Sequence, residues 1–395
     1  MEMSKLLFYG VCALVFLIPV SVSPASFAEG LVLTVWVVSG RFLSDLGIIR
    51  RKWSWPAVAM IVLPWVGLLY SHDMAAGLKF AEKSHYWLYS FIAAGIVLSG
   101  FEMDGLLKAF IAGVTFTSVV YLCQLAGLVY QPTKTSIAFF GHDGHIEFSL
   151  LATFSITLLS FFFAKAEKTK HKVLCAGLMM LQFFDLTLVL ADSGHLAFIL
   201  LTPLIAYNLL GRKRLRWAFA GGVVLVCLMF LSPVAQSRLK QAVKETAAYG
   251  KGQVLTPLGF HYYVWEGAAK IFSGHPIAGT GTGGYTYNMH KIKQAGMPEV
   301  AHPQNTLLYM AASYGVPGII VLIFLWAMPI RAAWRERNSL KGFSVLIFMA
   351  ILSVGSITDT QIMSYQSGIL FALFYGIALA QKRTGAIAED LEKVP

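Results

Sequence analysis

The chain has 395 residues, of which 57% are hydrophobic and 13% charged, with a mean hydropathy of +0.66 and a formal net charge of +11. So apolar a chain cannot bury its hydrophobic surface in one water-soluble core under a polar skin; a soluble globular enzyme is excluded and an all-α polytopic membrane protein is expected. The positive charge is dispersed through short segments between apolar runs, without basic-aromatic motifs, which argues against nucleic acid as a partner.

A bilayer-crossing helix needs about 20 residues, and the apolar runs predict about twelve such helices. Nine lie in residues 1–235: Leu6–Val22, Phe27–Gly40, Trp53–Tyr70, His85–Leu98, Leu106–Val129, Ile146–Ala166, Val173–Leu190, Leu196–Leu210 and Trp217–Ala235. Lys5 and the run after it also have the form of a cleavable secretory signal; an uncleaved first helix is expected. Residues 236–303 follow as one large polar and aromatic segment, with helical stretches near Arg238–Ala248 and Tyr262–Phe272. Three more spans, Thr306–Met328, Phe343–Ile357 and Met363–Gln381, occupy residues 304–383, and 384–395 form a short polar tail. Cys12, Cys123, Cys175 and Cys227 fall inside predicted spans without a CxxC spacing, predicting neither disulfides nor a thiolate metal site.

Basic residues give the orientation. Arg41 with Arg50, Arg51 and Lys52, Lys165 with Lys168, Lys170 and Lys172, Arg212 to Arg214 with Arg216, and Arg331 with Arg335, Arg337 and Lys341 fall on one side if the helices alternate. The positive-inside rule makes that side cytoplasmic, with both termini inside and the large segment outside. Of the ten histidines only His171 then lies inside, so any imidazole chemistry faces out. Asp185 is set within a span, where an ionisable residue is costly and faces a polar interior.

Two polar stretches stand out. His275–Met289, HPIAGTGTGGYTYNM, is a glycine-rich turn whose N–H groups can approach a phosphate. It lacks the Lys-Ser/Thr ending and strand-helix setting of known phosphate loops, so a purely structural turn is the expected reading. Phe139–Glu147, FFGHDGHIE, gathers His142, Asp143, His145 and Glu147, but its spacing matches no strong zinc signature and no metal site is expected.

The order and spacing of WVGLLYSHD (Trp65–Asp73), GHPIAGTGTGGY (Gly274–Tyr285) and AHPQNTLLYMAASYGVPG (Ala301–Gly318) resemble the O-antigen ligase and polymerase superfamily across most of the chain. The resemblance implies a GT-C-like fold with one large periplasmic loop, in the bacterial inner membrane. It implies transfer of a glycan from undecaprenyl diphosphate to lipid A-core, inverting and without metal or cofactor; the alternatives are a polymerase extending lipid-linked repeats and, from another class, a transporter of lipid-linked glycans. Membrane lipids are the remaining partners.

His302 matches the family's catalytic histidine, and an imidazole with a pKa near 6.5 suits removal of a sugar hydroxyl proton. Asn305, about a turn later, is expected to orient it or the acceptor. The departing diphosphate needs cations or donors, and Lys83 is the foremost exterior candidate, with Lys79 behind it. Where the resemblance implies two arginines this chain has histidines or gaps: either His195 and His261 contact the diphosphate, the assignment adopted here although imidazole is a poorer oxyanion ligand than guanidinium, or the substrate sits differently from the family norm. His142, His145 and Asp359 are assigned to sugar or acceptor.

Overall fold

The structure, a computed structural model, describes residues 2–131, 133, 136–138, 144–211, 215–292 and 297–380. His142, Asp143, the basic residues Arg212 to Arg214 and the tail 384–395 lie outside the described residues. Within them the chain is helical, with no strand. Each of the twelve expected spans falls on a helix: α1 (Glu2–Leu17), α2 (Val22–Val38), α4 (Trp55–Leu68), α6 (Leu88–Leu98), α7 (Met103–Leu125), α8 (Gly144–Lys165), α9 (Thr169–Leu188), α10 (Asp192–Leu210), α11 (Leu215–Leu231), α15 (Thr306–Arg335), α16 (Leu340–Thr358) and α17 (Tyr365–Leu379). Two short helices, α3 (Arg41–Leu46) and α5 (Met74–Ala81), sit between the early spans, and α12 (Pro233–Tyr249), α13 (Pro257–Gly274) and α14 (Gly284–Ile292) make up most of the large segment.

Length separates these helices into two groups. Six, α7 to α10 with α15 and α16, are long and apolar enough to cross a membrane. The other six have 11 to 17 residues. The shortest, α6, rises only about 16 Å by itself and is extended by the 3₁₀ turn Glu82–Trp87 ahead of it. α2 meets the α3 stretch at a bend of 87°.

The centre of the bundle follows from composition. Every residue from Glu147 to Ser160 in α8, and from Gln366 to Ala378 in α17, is buried. Helices apolar on all faces belong inside. Phe154 of α8 packs edge-on against Phe348 of α16 and Phe374 of α17, with ring centroids 5.5 and 5.4 Å away. Asp185 is fully buried between α7 and α9, beside Ser118 and Tyr121.

The large segment has a small core of its own, in which Tyr263, Val264 and Ile271 of α13 meet Tyr285 and Met289 of α14 and Ala312 of α15. Its glycine-rich turn is wedged among α4, α5 and α15. Thr280 N donates to Ala312 O at 3.0 Å, Gly281 N to Ser313 O at 2.9 Å and Thr282 N to Gly67 O at 3.2 Å. Thr282 Oγ1 also donates to Pro64 O at 2.7 Å. These N–H groups are already paired with protein carbonyls, so the turn acts as a structural clasp rather than a phosphate cradle. Its counterpart is a break in α15 at Gly315 (φ 63°, ψ −148°), where Val316 N donates to Pro276 O at 2.9 Å. A side chain at Gly315 would have to occupy left-handed backbone, which glycine alone adopts freely.

Candidate active site

Three sequence stretches that are far apart in the chain meet at one end of the bundle. Tyr70 OH donates to Ala278 O at 2.9 Å, His72 stacks on Tyr287 with centroids 5.1 Å apart, and Thr286 Oγ1 donates to Ala301 O at 3.2 Å. The clasp described above adds the contacts to α15. Together they hold the large segment on α4 and α15 and tie Ala301, where the short approach to α15 begins, to α14.

Asn305 forms the N-cap of α15. Its Oδ1 accepts from Leu308 N at 3.0 Å, relieving one of the unpaired amides at the helix start. Its Nδ2 donates to Ile357 O at 3.1 Å, near the end of α16. Both ends of the amide are thus committed to holding α15 beside α16, and the structure gives Asn305 no contact with His302; it positions the backbone that carries the histidine. Thr306 reinforces the same seam: its Oγ1 donates to Asp359 O at 3.3 Å and accepts from Gln361 N at 3.0 Å.

His302 sits on this seam with a third of its side chain exposed. Its Nδ1 lies 3.1 Å from Thr360 Oγ1, 3.3 Å from Gln304 N and 3.9 Å from Asp359 Oδ1. Gln304 reaches this position with φ 50°, an uncommon value for a residue with a Cβ. The neighbours of Nδ1 pull in opposite directions. The Gln304 N–H favours a lone pair there, whereas Thr360 Oγ1 and the Asp359 carboxylate accept an Nδ1–H, the tautomer that leaves the lone pair on Nε2. Nε2 has no hydrogen-bond partner among the described residues.

Burial pulls the pKa of His302 below its ordinary value; the Asp359 carboxylate opposes this, and the Lys83 ammonium adds to the depression. A neutral imidazole at neutral pH follows. Lys83, half-buried, donates from Nζ to Met363 O at 2.8 Å, in the turn joining α16 and α17. Burial lowers its pKa and Asp359 counters that as well. Asp359 is therefore the shared electrostatic partner of the base candidate and the cation candidate, held in place by Thr360 N donating to its Oδ1 at 2.7 Å.

The remaining expected site residues divide. His145 and His261 line one cavity of about 180 Å³ with Asp192, Trp265 and Thr358. The pKa of His261 is lowered by burial against the pull of Asp359 and Asp192. His195 points elsewhere: it is 7% exposed, and its Nε2 bonds to Leu186 O at 2.8 Å. It ties α10 to the end of α9 through this one ring nitrogen. Lys79 is exposed on α5, and no contact brings it to Asp359. His142 lies outside the described residues. Among those residues, no group of three His, Cys, Asp or Glu side chains is placed to share a metal ion.

Sequence reasoning missed two groups here. Thr360, against His302 Nδ1, sits in a polar turn with nothing in the sequence to mark it. Glu147 accepts from Ser367 Oγ at 2.9 Å and from Ser364 Oγ, linking α8 to the start of α17; its place beside His145 was visible, but its partners lie some 220 residues away.

A bundle of long apolar helices with histidine, lysine and carboxylate gathered at one end is a multi-pass membrane protein with a polar cluster at that end. The profile of the O-antigen ligase family matches residues 176–323, from α9 to the middle of α15, and includes His195, His261 and His302. This match supports the O-antigen ligase superfamily and, with it, an O-antigen ligase or polymerase-like membrane enzyme. No curated protein matches the chain significantly.

Proposed function

We propose that the chain is an inverting glycosyltransferase that takes a glycan from undecaprenyl diphosphate and passes it to lipid A-core at the periplasmic face of the inner membrane. The observation that carries this reading is the placing of His302 between Thr360, Asp359 and Lys83 at the start of α15. In the reaction, His302 takes the proton of an acceptor hydroxyl at Nε2, while Nδ1–H is held by Thr360 Oγ1. The hydroxyl oxygen forms its bond to the anomeric carbon from the face opposite the diphosphate. The carbon–oxygen bond to the diphosphate breaks, its electron pair leaves with the lipid diphosphate, and Lys83 meets the charge that develops there. His302 then returns its proton to solvent. The diphosphate is already an activated leaving group, so no metal or nucleotide step is needed.

In this reading all twelve apolar helices cross the bilayer in a GT-C-like arrangement, with the 236–303 segment in the periplasm and both termini in the cytoplasm. His261, held neutral by burial, contributes hydrogen bonds rather than charge. A polymerase that extends lipid-linked repeats would use the same centre with a different acceptor.

The test is glycan transfer by the purified protein in nanodiscs, using undecaprenyl diphosphate-linked glycan with and without lipid A-core. The expected result is product that depends on lipid A-core and is lost in His302→Ala, with Lys83→Met lowering turnover by about a hundredfold or more, as removal of a single oxyanion partner does elsewhere. Longer lipid-linked chains made without lipid A-core would identify a polymerase, and unchanged turnover in His302→Ala would remove the base assignment.

A further inference from the structure

The 180 Å³ cavity next to the reaction centre has a chemistry of its own. It is enclosed by the starts of α8 and α10, by α12 and α13, and by Thr358 at the end of α16, one residue from Asp359. Ser193 and Thr358, both lining it, are joined hydroxyl to hydroxyl at 2.6 Å. By volume it holds roughly six waters, which suits one pyranose-sized ring and is too small for a lipid tail.

Its polarity points away from phosphate. The described lining contains no lysine or arginine, but includes two carboxylates, Asp192 and Glu245. Both oxygens of Glu245 are committed, one accepting from Gln241 Nε2 at 2.6 Å and the other from Leu258 N at 2.8 Å, so this acid serves to fix the wall. Among the described lining residues a diphosphate would meet negative charge and no cation, whereas a neutral polyol carries no such penalty.

Two buried polar atoms in the wall lack partners. Trp265 Nε1 and His261 Nδ1 have no hydrogen-bond partner among the described residues. They stand one turn apart on α13, with ring centroids 6.1 Å apart. An unpaired buried donor is costly and marks a place where a ligand group completes the site. The aromatic rings add apolar surface of the kind that packs on the C–H face of a sugar.

From this we infer that the cavity is a pyranose subsite, in which the indole N–H of Trp265 donates to a sugar hydroxyl and His261 Nδ1 exchanges a hydrogen bond with another, placing the ring beside Asp359 and His302. The inference rests on the glycosyl-transfer reading and goes beyond it by separating a sugar pocket from the Lys83 side of the centre. The ring comes either from the donor glycan or from the acceptor core.

The experiment measures binding apart from turnover. His302→Ala protein in nanodiscs is titrated, by saturation-transfer NMR, with two phosphate-free probes: the oligosaccharide released by mild acid from the lipid-linked donor, and dephosphorylated core oligosaccharide. The same titrations are repeated with Trp265→Phe, which keeps an aromatic ring but removes the N–H, and with Trp265→Ala. One probe is expected to bind and to weaken about tenfold in Trp265→Phe, the loss of one hydrogen bond. In the otherwise wild-type enzyme Trp265→Phe should raise the KM of the corresponding substrate to the same degree with kcat little changed. Which probe binds identifies the source of the ring. Binding of neither probe, or binding and KM both indifferent to Trp265→Phe in a variant that unfolds at the wild-type temperature, overturns the subsite even where transfer itself is intact. Displacement of the bound probe by inorganic pyrophosphate also overturns it, because the cavity would then be a diphosphate site. Trp265-dependent binding in a protein that transfers no glycan would keep the subsite and reject the transfer reading.

Discussion

Replacing Asp359 by asparagine tests the electrostatics of the centre most directly. Asparagine retains an oxygen able to accept from Thr360 N, so the turn that now uses Asp359 Oδ1 at 2.7 Å keeps its hydrogen bond. What disappears is the negative charge 3.9 Å from His302 Nδ1. Two unit charges at about 4 Å interact by roughly 1 kcal/mol in water and about 4 kcal/mol at an effective dielectric of 20. Both side chains are about a third exposed, at 33% and 28%, so the solvent-screened end applies. That energy corresponds to about one pKa unit. The direction follows from the protonation state: Asp359 stabilises the imidazolium, so removing it lowers the pKa of His302 further. A general base works in its neutral form, and its activity is lost as pH falls through its pKa. The acid limb of kcat/KM in Asp359→Asn should therefore move about one unit to lower pH, with a reduced plateau because the base is weaker. The assay is transfer of radiolabelled glycan between pH 4.5 and 9 in nanodiscs of neutral lipid. An acid limb that stays in place or moves upward would refute the coupling of Asp359 to His302.

Other consequences follow from the same contacts. Thr360→Val removes the acceptor for His302 Nδ1–H and leaves Gln304 N–H to favour the wrong tautomer, so kcat should fall about tenfold or more, with Thr360→Ser close to wild type. Asn305→Ala loses both the cap of α15 and the bond to Ile357 O, a cost of about 2 kcal/mol in total; Asn305→Asp, which keeps the cap alone, should unfold thermally between Asn305→Ala and wild type. Gly281→Ala sets a Cβ 2.4 Å from Gly67 O at a φ of +80°, so the clasp must open, and limited proteolysis should cut the buried 280–285 stretch faster than in the wild type.

Much of the helical layout was legible because membrane helices announce themselves by length and hydropathy, and every predicted span falls on a helix. What escaped were features decided by packing. α5 and the 3₁₀ turn after it are too short and mixed for periodicity to reveal. The break of α15 at Gly315 depends on a turn far upstream, at Pro276 and Ile277, that fits into it. The bond of His195 to Leu186 O in α9 could not be read from its position along a helix, which does not say which way a side chain faces. His302 was visible through its motif, whereas its link to Asp359 and Thr360 needed α15 to be packed against the α16–α17 turn. Asn305 was picked out for its spacing from His302, whereas its cap on Leu308 N and its bond to Ile357 O follow only from the packing of α15 against α16.

The clasp between the glycine-rich turn and α15 bears on how the protein can be dissected. Gly315 lies nine residues past Thr306, about 13 Å along the helix, so the foot of the 236–303 segment descends among apolar helices. There its backbone amides find partners in carbonyls of α4 and α15. Cut away from those helices, the segment would carry bare amides and the apolar faces of Tyr285 and Met289 into water. It is a rooted part of the bundle, and the fragment expressed alone in water should aggregate instead of folding. Nor can it lift off as a whole without unpairing its root.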